Sequence, residues 1–332
     1  MRVTLVYSDS LAAYDLGPDH PFRPERFTRA VEMMHKRDLI GPNGMRVVMP
    51  TPATDEDLLR VHDADYIKVV KDLSASPRTL WPRHGIGPGD TPAFAGMHDA
   101  SALVAGAAIT AIREVLDGRA DRAFNIAGGL HHAHRDRAAG FCVYNDPAVG
   151  IAWALDRDPG LRVAYVDIDA HHGDGVQEAF WNEPRVLTVS MHESGRYLFP
   201  GTGFETETGG PDAPGSALNV PMPPYAGDSE YARAFAERVK PAVRAFAPDL
   251  LVTQNGADAH RADPLTTLGL TLRGYSALVE SLVELSTEVT QGRMVAHGGG
   301  GYAWEDTVPR AWTALAYSLL GRPVPADLIA EE

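Results

Sequence analysis

Val163-Ala164-Tyr165-Val166-Asp167-Ile168-Asp169-Ala170-His171-His172-Gly173-Asp174-Gly175 decides how the rest of the chain is read. Its first four residues are apolar, mostly β-branched or aromatic, and predict a buried strand. The run passes directly into three carboxylates and two imidazoles among terminating glycines. The polar groups therefore sit at a strand's C-terminal end, where ligands bind in parallel α/β sheets. Side chains alternate along an extended chain, which puts Asp167, Asp169 and His171 on one face. Three ionisable groups there are too costly to bury unpaired. A divalent cation resolves that cost, and aspartate with a neutral histidine is an N/O ligand set suited to Zn2+. The competing reading is a strand end whose carboxylates cap the next helix. Asp174 before Gly175-Val176-Gln177-Glu178 fits that reading.

The 332 residues are 44% hydrophobic and 22% charged, enough for a large core and unlike a disordered or fibrous chain. A formal net charge of -14 argues against a nucleic-acid surface, which needs clustered Lys and Arg. It suits a cationic substrate or simply a soluble acidic surface. Cys142 is the single cysteine, so no intrachain disulfide forms and a reducing compartment is favoured. Met1 to Asp9 is a short strand-like run interrupted by an acid, unlike a signal peptide. No apolar run approaches the ~20 residues of a membrane span. A soluble cytoplasmic protein is expected, with no membrane and no nucleic-acid partner; the oligomeric state is left open.

Eight short apolar runs recur: Val3 to Tyr7, Arg46 to Met49, Ala123 to Ala127, Val163 to Asp169, Val186 to Met191, Ala217 to Val220, Leu250 to Thr253 and Met294 to Ala296. Longer segments of helical period lie between most of them, including Arg26 to Leu39, Ala100 to Leu116, Ala148 to Leu155, Glu230 to Phe246 and Tyr275 to Val289. The alternation predicts an α/β fold, a single-domain open and mostly parallel eight-stranded sheet flanked by helices. One domain is expected over residues 1–322, with Pro323 to Glu332 as a tail. Ser74 to Gly96 and Glu193 to Gly215, both rich in Gly and Pro, are expected as long functional loops. Asp19 to Arg26 packs charge around two prolines, which is compatible with a simple helix start.

Three further clusters end predicted strands. Gly128-Gly129-Leu130-His131-His132-Ala133-His134 offers adjacent imidazoles, read as proton-transfer groups, metal ligands or a polar surface turn. Gln254-Asn255-Gly256-Ala257-Asp258-Ala259-His260 supplies Asp258, which either completes a site with Asp169 and His171 or forms an Asx turn. His260 and Asp263 are placed behind the ligands rather than among them. Gly298-Gly299-Gly300-Gly301 allows close backbone approach and delivers Tyr302 to the same edge. A phosphate-cradling loop is disfavoured there, since neither the spacing nor a lysine fits the known fingerprints.

In this order the clusters resemble the zinc-dependent histone deacetylase superfamily, most closely its bacterial acetoin utilization protein branch. The likeness is carried by His20-Pro21-Phe22-Arg23-Pro24-Glu25-Arg26, Gly128 to Ala133, Gly140 to Asp146, Asp167 to Gly175, Phe199-Pro200-Gly201-Thr202-Gly203, Gly256-Ala257-Asp258 with Asp263-Pro264-Leu265, and Gly298 to Tyr302. It spans nearly the whole chain.

The resemblance implies the open sheet shared with arginases and a metal-dependent amidohydrolase that removes acetyl groups from lysine side chains. By it, Asp169, His171 and Asp258 bind Zn2+, with Fe2+ as the alternative metal. Asp167 orients His131 and Asp174 orients His132, the acid-base pair, while Tyr302 donates to the carbonyl oxygen. Phe141 and Phe199 flank the acyl-lysine stem, with Gly140 and Gly300 beside it. Asp90 holds the substrate backbone at the rim, and Arg26 lines an inner acetate cavity. A structural K+ is implied at Asp167, Asp169, His171, Ser190 and Met191, in part through backbone carbonyls.

The chain departs from the arginase side of that superfamily. Where those enzymes carry D-A-H-x-D for two manganese ions, Asp169-Ala170-His171-His172 is followed by Gly173, and Asp258-Ala259 leads to His260. The second metal has lost its carboxylates, so one catalytic transition metal is expected. The expected substrate is an acetylated protein; a small acetylated amine such as an acetylpolyamine is the alternative, and a non-catalytic acyl-lysine binding protein is a third reading.

Overall fold

Apolar side chains on both faces make a strand read as a continuous hydrophobic run, and most of the runs found in the sequence are buried that way, the edge run at Arg46–Val48 being largely exposed. The computed structural model describes residues 1–78 and 82–331. Within them the strands are β1 (Val3–Val6), β2 (Arg46–Val48), β3 (Arg122–Asn125), β4 (Val163–Asp167), β5 (Val186–Glu193), β6 (Ala217–Met222), β7 (Leu250–Gln254) and β8 (Met294–His297). All pair in parallel, in the order β2-β1-β3-β8-β7-β4-β5-β6. The expected single α/β sheet is what forms.

The helices are α1 (Glu25–Lys36), α2 (Asp55–Leu58), α3 (Ala64–Ala75), α4 (Met97–Leu116), α5 (Asp146–Arg157), α6 (Asp174–Ala179), α7 (Asp228–Ala234), α8 (Lys240–Phe246), α9 (Leu272–Thr290) and α10 (Thr307–Leu319). Local chemistry sets several of their ends. Asn145 accepts from the Ala148 amide at the start of α5, and Thr271 accepts from Gly274 at the start of α9. The helix expected over Glu230 to Phe246 forms as a continuous run from Asp228 to Phe246, in which a π turn at Phe235–Val239 divides α7 from α8. Pro241, in the first turn of α8, has no amide proton to donate, and the widened turn before it absorbs the lost bond. Of the loop expected over Ser74 to Gly96, residues 79–81 lie outside the described residues.

The order of strands positions the site. The chain runs outward through β4, β5 and β6, then returns to insert β7 and β8 between β3 and β4. Four strand ends are thereby brought side by side at the switch in strand order, the usual place for a ligand crevice. At this edge one polar row crosses six strands in register: Asn125, His297, Gln254, Asp167, Ser190 and Asn219. All six are buried.

Residues 323–331 lie against the body of the protein. Leu328 is buried, Asp327 pairs with Arg37 at 2.7 Å, and Glu331 reaches His260 and Arg261. Among the described residues no helix is long and apolar enough to cross a membrane.

Candidate active site

Beyond β4 the chain bends so that its carboxylates turn back on one another. Asp167 accepts from the Asp169 amide at 3.0 Å, and Asp169 accepts from the His171 amide at 3.0 Å. His171 Nδ1 lies 3.2 Å from Asp169 and 2.9 Å from Asp258, which arrives from the end of β7. One ligand atom from each of the three residues falls within 4.8 Å of the other two, and all three residues are buried. The outer carboxylate oxygens are occupied: Gly300 N donates to Asp169 at 2.6 Å and Ala170 N to Asp258 at 2.8 Å. Burial and the Asp169 charge push Asp258 up to about 7. Two like charges beside one imidazole in a buried site fit a divalent cation, which would offset them.

Glycine permits these close approaches. A Cβ on Gly300 would fall 2.1 Å from an Asp258 oxygen. Gly140, at φ +53°, would place one 2.3 Å from His132 Cδ2.

His131 and His132, from the turn after β3, point into the same space. Their Nδ1 atoms meet separate carboxylates, Asp167 at 2.8 Å and Asp174 at 2.7 Å. Burial opposes charge on His131, but Asp167 and Asp169 outweigh it and raise the ring to about 9. Burial and the neighbouring His131 lower His132 to about 4. Tyr302 follows the glycine turn after β8; its ring is 6.4 Å from that of His171 and 5.7 Å from that of Phe141. Burial, with the charges of Asp258 and Asp169, holds its hydroxyl protonated well above the ordinary range.

The remaining sequence candidates divide into those at the mouth and those behind. Phe199 is half exposed, with its ring 5.0 Å from His132. Asp90 accepts from Gly140 N at 2.7 Å, beside Phe141. Arg26 is fully buried and donates to Gly299 O at 2.6 Å. Ser190 shares register with Asp167, but its hydroxyl meets His192 at 2.8 Å; Met191 is buried next to it. His172 turns away to Thr202 and Gln177, and His260 turns to Glu331.

Sequence reasoning did not find the contacts of four supporting residues. Tyr165 donates to Asp167 at 2.8 Å, a contact that strand alternation could have suggested. Asp263, expected behind the ligands, accepts the Tyr302 amide at 2.8 Å. His20 meets Asp90 O at 3.2 Å, and His134 meets Asp174 at 3.2 Å, both across distances in sequence that no local pattern reveals.

Residues 20–319 match the family model described as Histone deacetylase domain. The chain belongs to the histone deacetylase family. Among curated relatives, the acetoin utilization protein AcuC of Bacillus subtilis (strain 168) is 40% identical over 318 residues, covering 95% of this chain and 81% of that protein. AcuC of Staphylococcus aureus (strain MRSA252) is 36% identical over 335 residues, covering 100% and 85%. The crystal structure of an HDAC homolog from Aquifex aeolicus superposes with a TM-score of 0.86 at 32% identity, covering 98% of this chain and 86% of that one. An HDAC homolog complexed with SAHA gives 0.87 at 34% identity, with the same coverage. The protein is thus a deacetylase of the acetoin utilization branch, with the arginase/deacetylase sheet. For this deacetylase the family implies a metal, and Asp169, His171 and Asp258 are the residues whose donors converge to hold it.

Proposed function

We propose that this deacetylase hydrolyses the acetyl amide of lysine side chains in proteins, with one Zn2+ as its catalytic metal. The observation that carries the reading is the convergence of His131, His132 and Tyr302 on the buried Asp169, His171 and Asp258 group. Held there, a divalent cation would polarise the amide carbonyl and lower the pKa of the attacking water toward about 7.

The chain's own residues would do the rest. His132, kept neutral and anchored at Nδ1 by Asp174, takes a proton from water at Nε2 as the C–O bond forms. It returns that proton to the lysine nitrogen as the C–N bond breaks, which leaves acetic acid and the free amine, ionised at neutral pH to acetate and the lysine ammonium. His131, charged and held by Asp167, stands beside the developing oxyanion, and the Tyr302 hydroxyl donates to that oxygen. Phe141 and Phe199 would flank the aliphatic stem, with Gly140 and Gly300 leaving room for it. Asp90 would take the peptide amides at the rim, and Arg26 would face the released acetate. Asp167, Asp169, His171, Ser190 and Met191 would hold a structural K+. A single cysteine suits a cytoplasmic protein.

The test is acetate release from an acetyl-lysine peptide, acetylspermidine and acetylputrescine, using chelator-stripped protein before and after adding zinc. Zinc-dependent release, fastest from the peptide, is expected. Faster release from the polyamines would move the assignment to a small acetylated amine, which the net charge of -14 suits.

A further inference from the structure

Both oxygens of Asp174 are taken by imidazoles. Oδ1 meets His132 Nδ1 at 2.7 Å, and Oδ2 meets His134 Nε2 at 3.2 Å. The other nitrogen of His134 lies 2.5 Å from Glu178. Asp174 and Glu178 are four residues apart on α6, so they share a face of that helix, and the His134 ring bridges them. Two carboxylates, one on each ring nitrogen, are both satisfied only by a doubly protonated imidazole. Burial disfavours that form, but hydrogen bonds to Asp174 and Glu178 outweigh it and raise His134 to about 9. The residue's backbone is fixed as well: its amide donates to Arg137 O, and its carbonyl accepts from His62. The series ends in solvent, with the Glu178 side chain 47% exposed and those of Asp174 and His134 about 10% or less.

We propose that His134 is a positioning residue for the deacetylation: clamped between Asp174 and Glu178, it occupies the Asp174 oxygen that His132 leaves free and so fixes that carboxylate in the orientation His132 needs. A carboxylate bound at one oxygen can swing about its Cβ–Cγ bond, and each swing releases the His132 ring. Bound at both, it cannot. The inference rests on the assignment of His132 as the group that handles the proton, and it extends that assignment by a residue outside the reacting atoms.

Two substitutions separate the hydrogen bond from bulk. His134→Gln keeps a donor at nearly the place of Nε2; His134→Leu keeps volume and loses the donor. On the zinc-reconstituted enzyme with an acetyl-lysine peptide, His134→Leu is expected to lower kcat about ten-fold with KM within about two-fold, a fraction of what loss of the acid-base group itself costs. His134→Gln is expected to restore most of kcat. A second readout needs no turnover. The Nδ1–H of His132, bound to Asp174, should give a downfield imidazole proton resonance, assigned by its loss in His132→Gln. That resonance should persist in His134→Gln and broaden or vanish in His134→Leu. A folded His134→Leu variant with unchanged kcat and an intact resonance overturns the proposal, as does a folded His134→Gln variant that loses the resonance. Wild-type protein that shows the resonance but cleaves no acetyl-lysine peptide removes the proposed substrate and leaves the clamp standing.

Discussion

The Nε2 atoms of His131 and His132 face each other at 3.1 Å, while the two Nδ1 atoms are bound to different carboxylates. Before negative charge develops on the substrate, buried rings at that distance cannot both be charged at modest cost, and their surroundings divide them. His131 is carried up to about 9 by Asp167 and Asp169 against its burial, and His132 is driven down to about 4 by burial and by the charge on His131. Titratable neighbours pushed apart in this way take different parts in proton transfer.

Replacing His131 with Gln removes the positive neighbour that lowers His132. His132 should then gain its proton at higher pH, so the acid limb of the kcat/KM profile is expected to move up by about one unit. The profile, measured on an acetyl-lysine peptide, checks this; a limb that stays in place contradicts the coupling.

Tyr302 is assigned a hydrogen bond to developing negative charge, not a place in the metal site. Tyr302→Phe is expected to cost about 100-fold in kcat, the usual scale for losing one oxyanion donor, with bound metal unchanged. Full activity in that variant would refute the role, and elemental analysis with steady-state kinetics reads both quantities.

Gly300 touches both carboxylates of the buried triad through its amide and its missing side chain. A Cβ there would stand 2.1 Å from Asp258 Oδ2 and 2.8 Å from Asp169 Oδ2. Gly300→Ala is therefore expected to weaken metal binding about ten-fold or more, as read by competition with a chelator. Wild-type protein should bind one equivalent of catalytic transition metal, and two equivalents would sink the single-metal assignment.

His62 is held as a neutral tautomer: Nδ1–H donates to His134 O at 2.9 Å, and Nε2 accepts from Asn145 N at 3.0 Å. Burial lowers it to about 4. The unfolded chain takes up a proton here below about 6.5, and the folded one does not until about 4, so stability should fall as pH drops through that window. The loss from this ring alone is about 3 kcal/mol, from roughly 1.4 kcal/mol per pH unit. Urea denaturation between pH 7 and 4.5 should show it, and His62→Gln should flatten the slope by about one proton.

Some of this was legible in residue order and some was not. Strand alternation put Asp167, Asp169 and His171 on one face, but β4 ends at Asp167, and the bends beyond it bring Asp169 and His171 together. The glycine turns announced where the strands end. Nothing local showed that Asp258 would join them, since that depends on β7 lying beside β4. Pro323 to Glu332 read as a tail; in the structure the Glu331 carboxylate meets His260 across 71 positions, and Leu328 is buried. His134 looked like the third member of a histidine run. Its partner Glu178 lies 44 positions away on a short helix, and only packing brings the two together.

By itself, the sequence determined the alternation of strands and helices and the placing of reactive groups at strand ends, because periodicity and turn chemistry are properties of neighbours in the chain. Only the tertiary structure decided that β7 and β8 enter between β3 and β4 and gather those ends into one site. Parallel strands are joined by long crossovers rather than tight turns, so which strands become neighbours is settled by how the whole sheet and its helices pack.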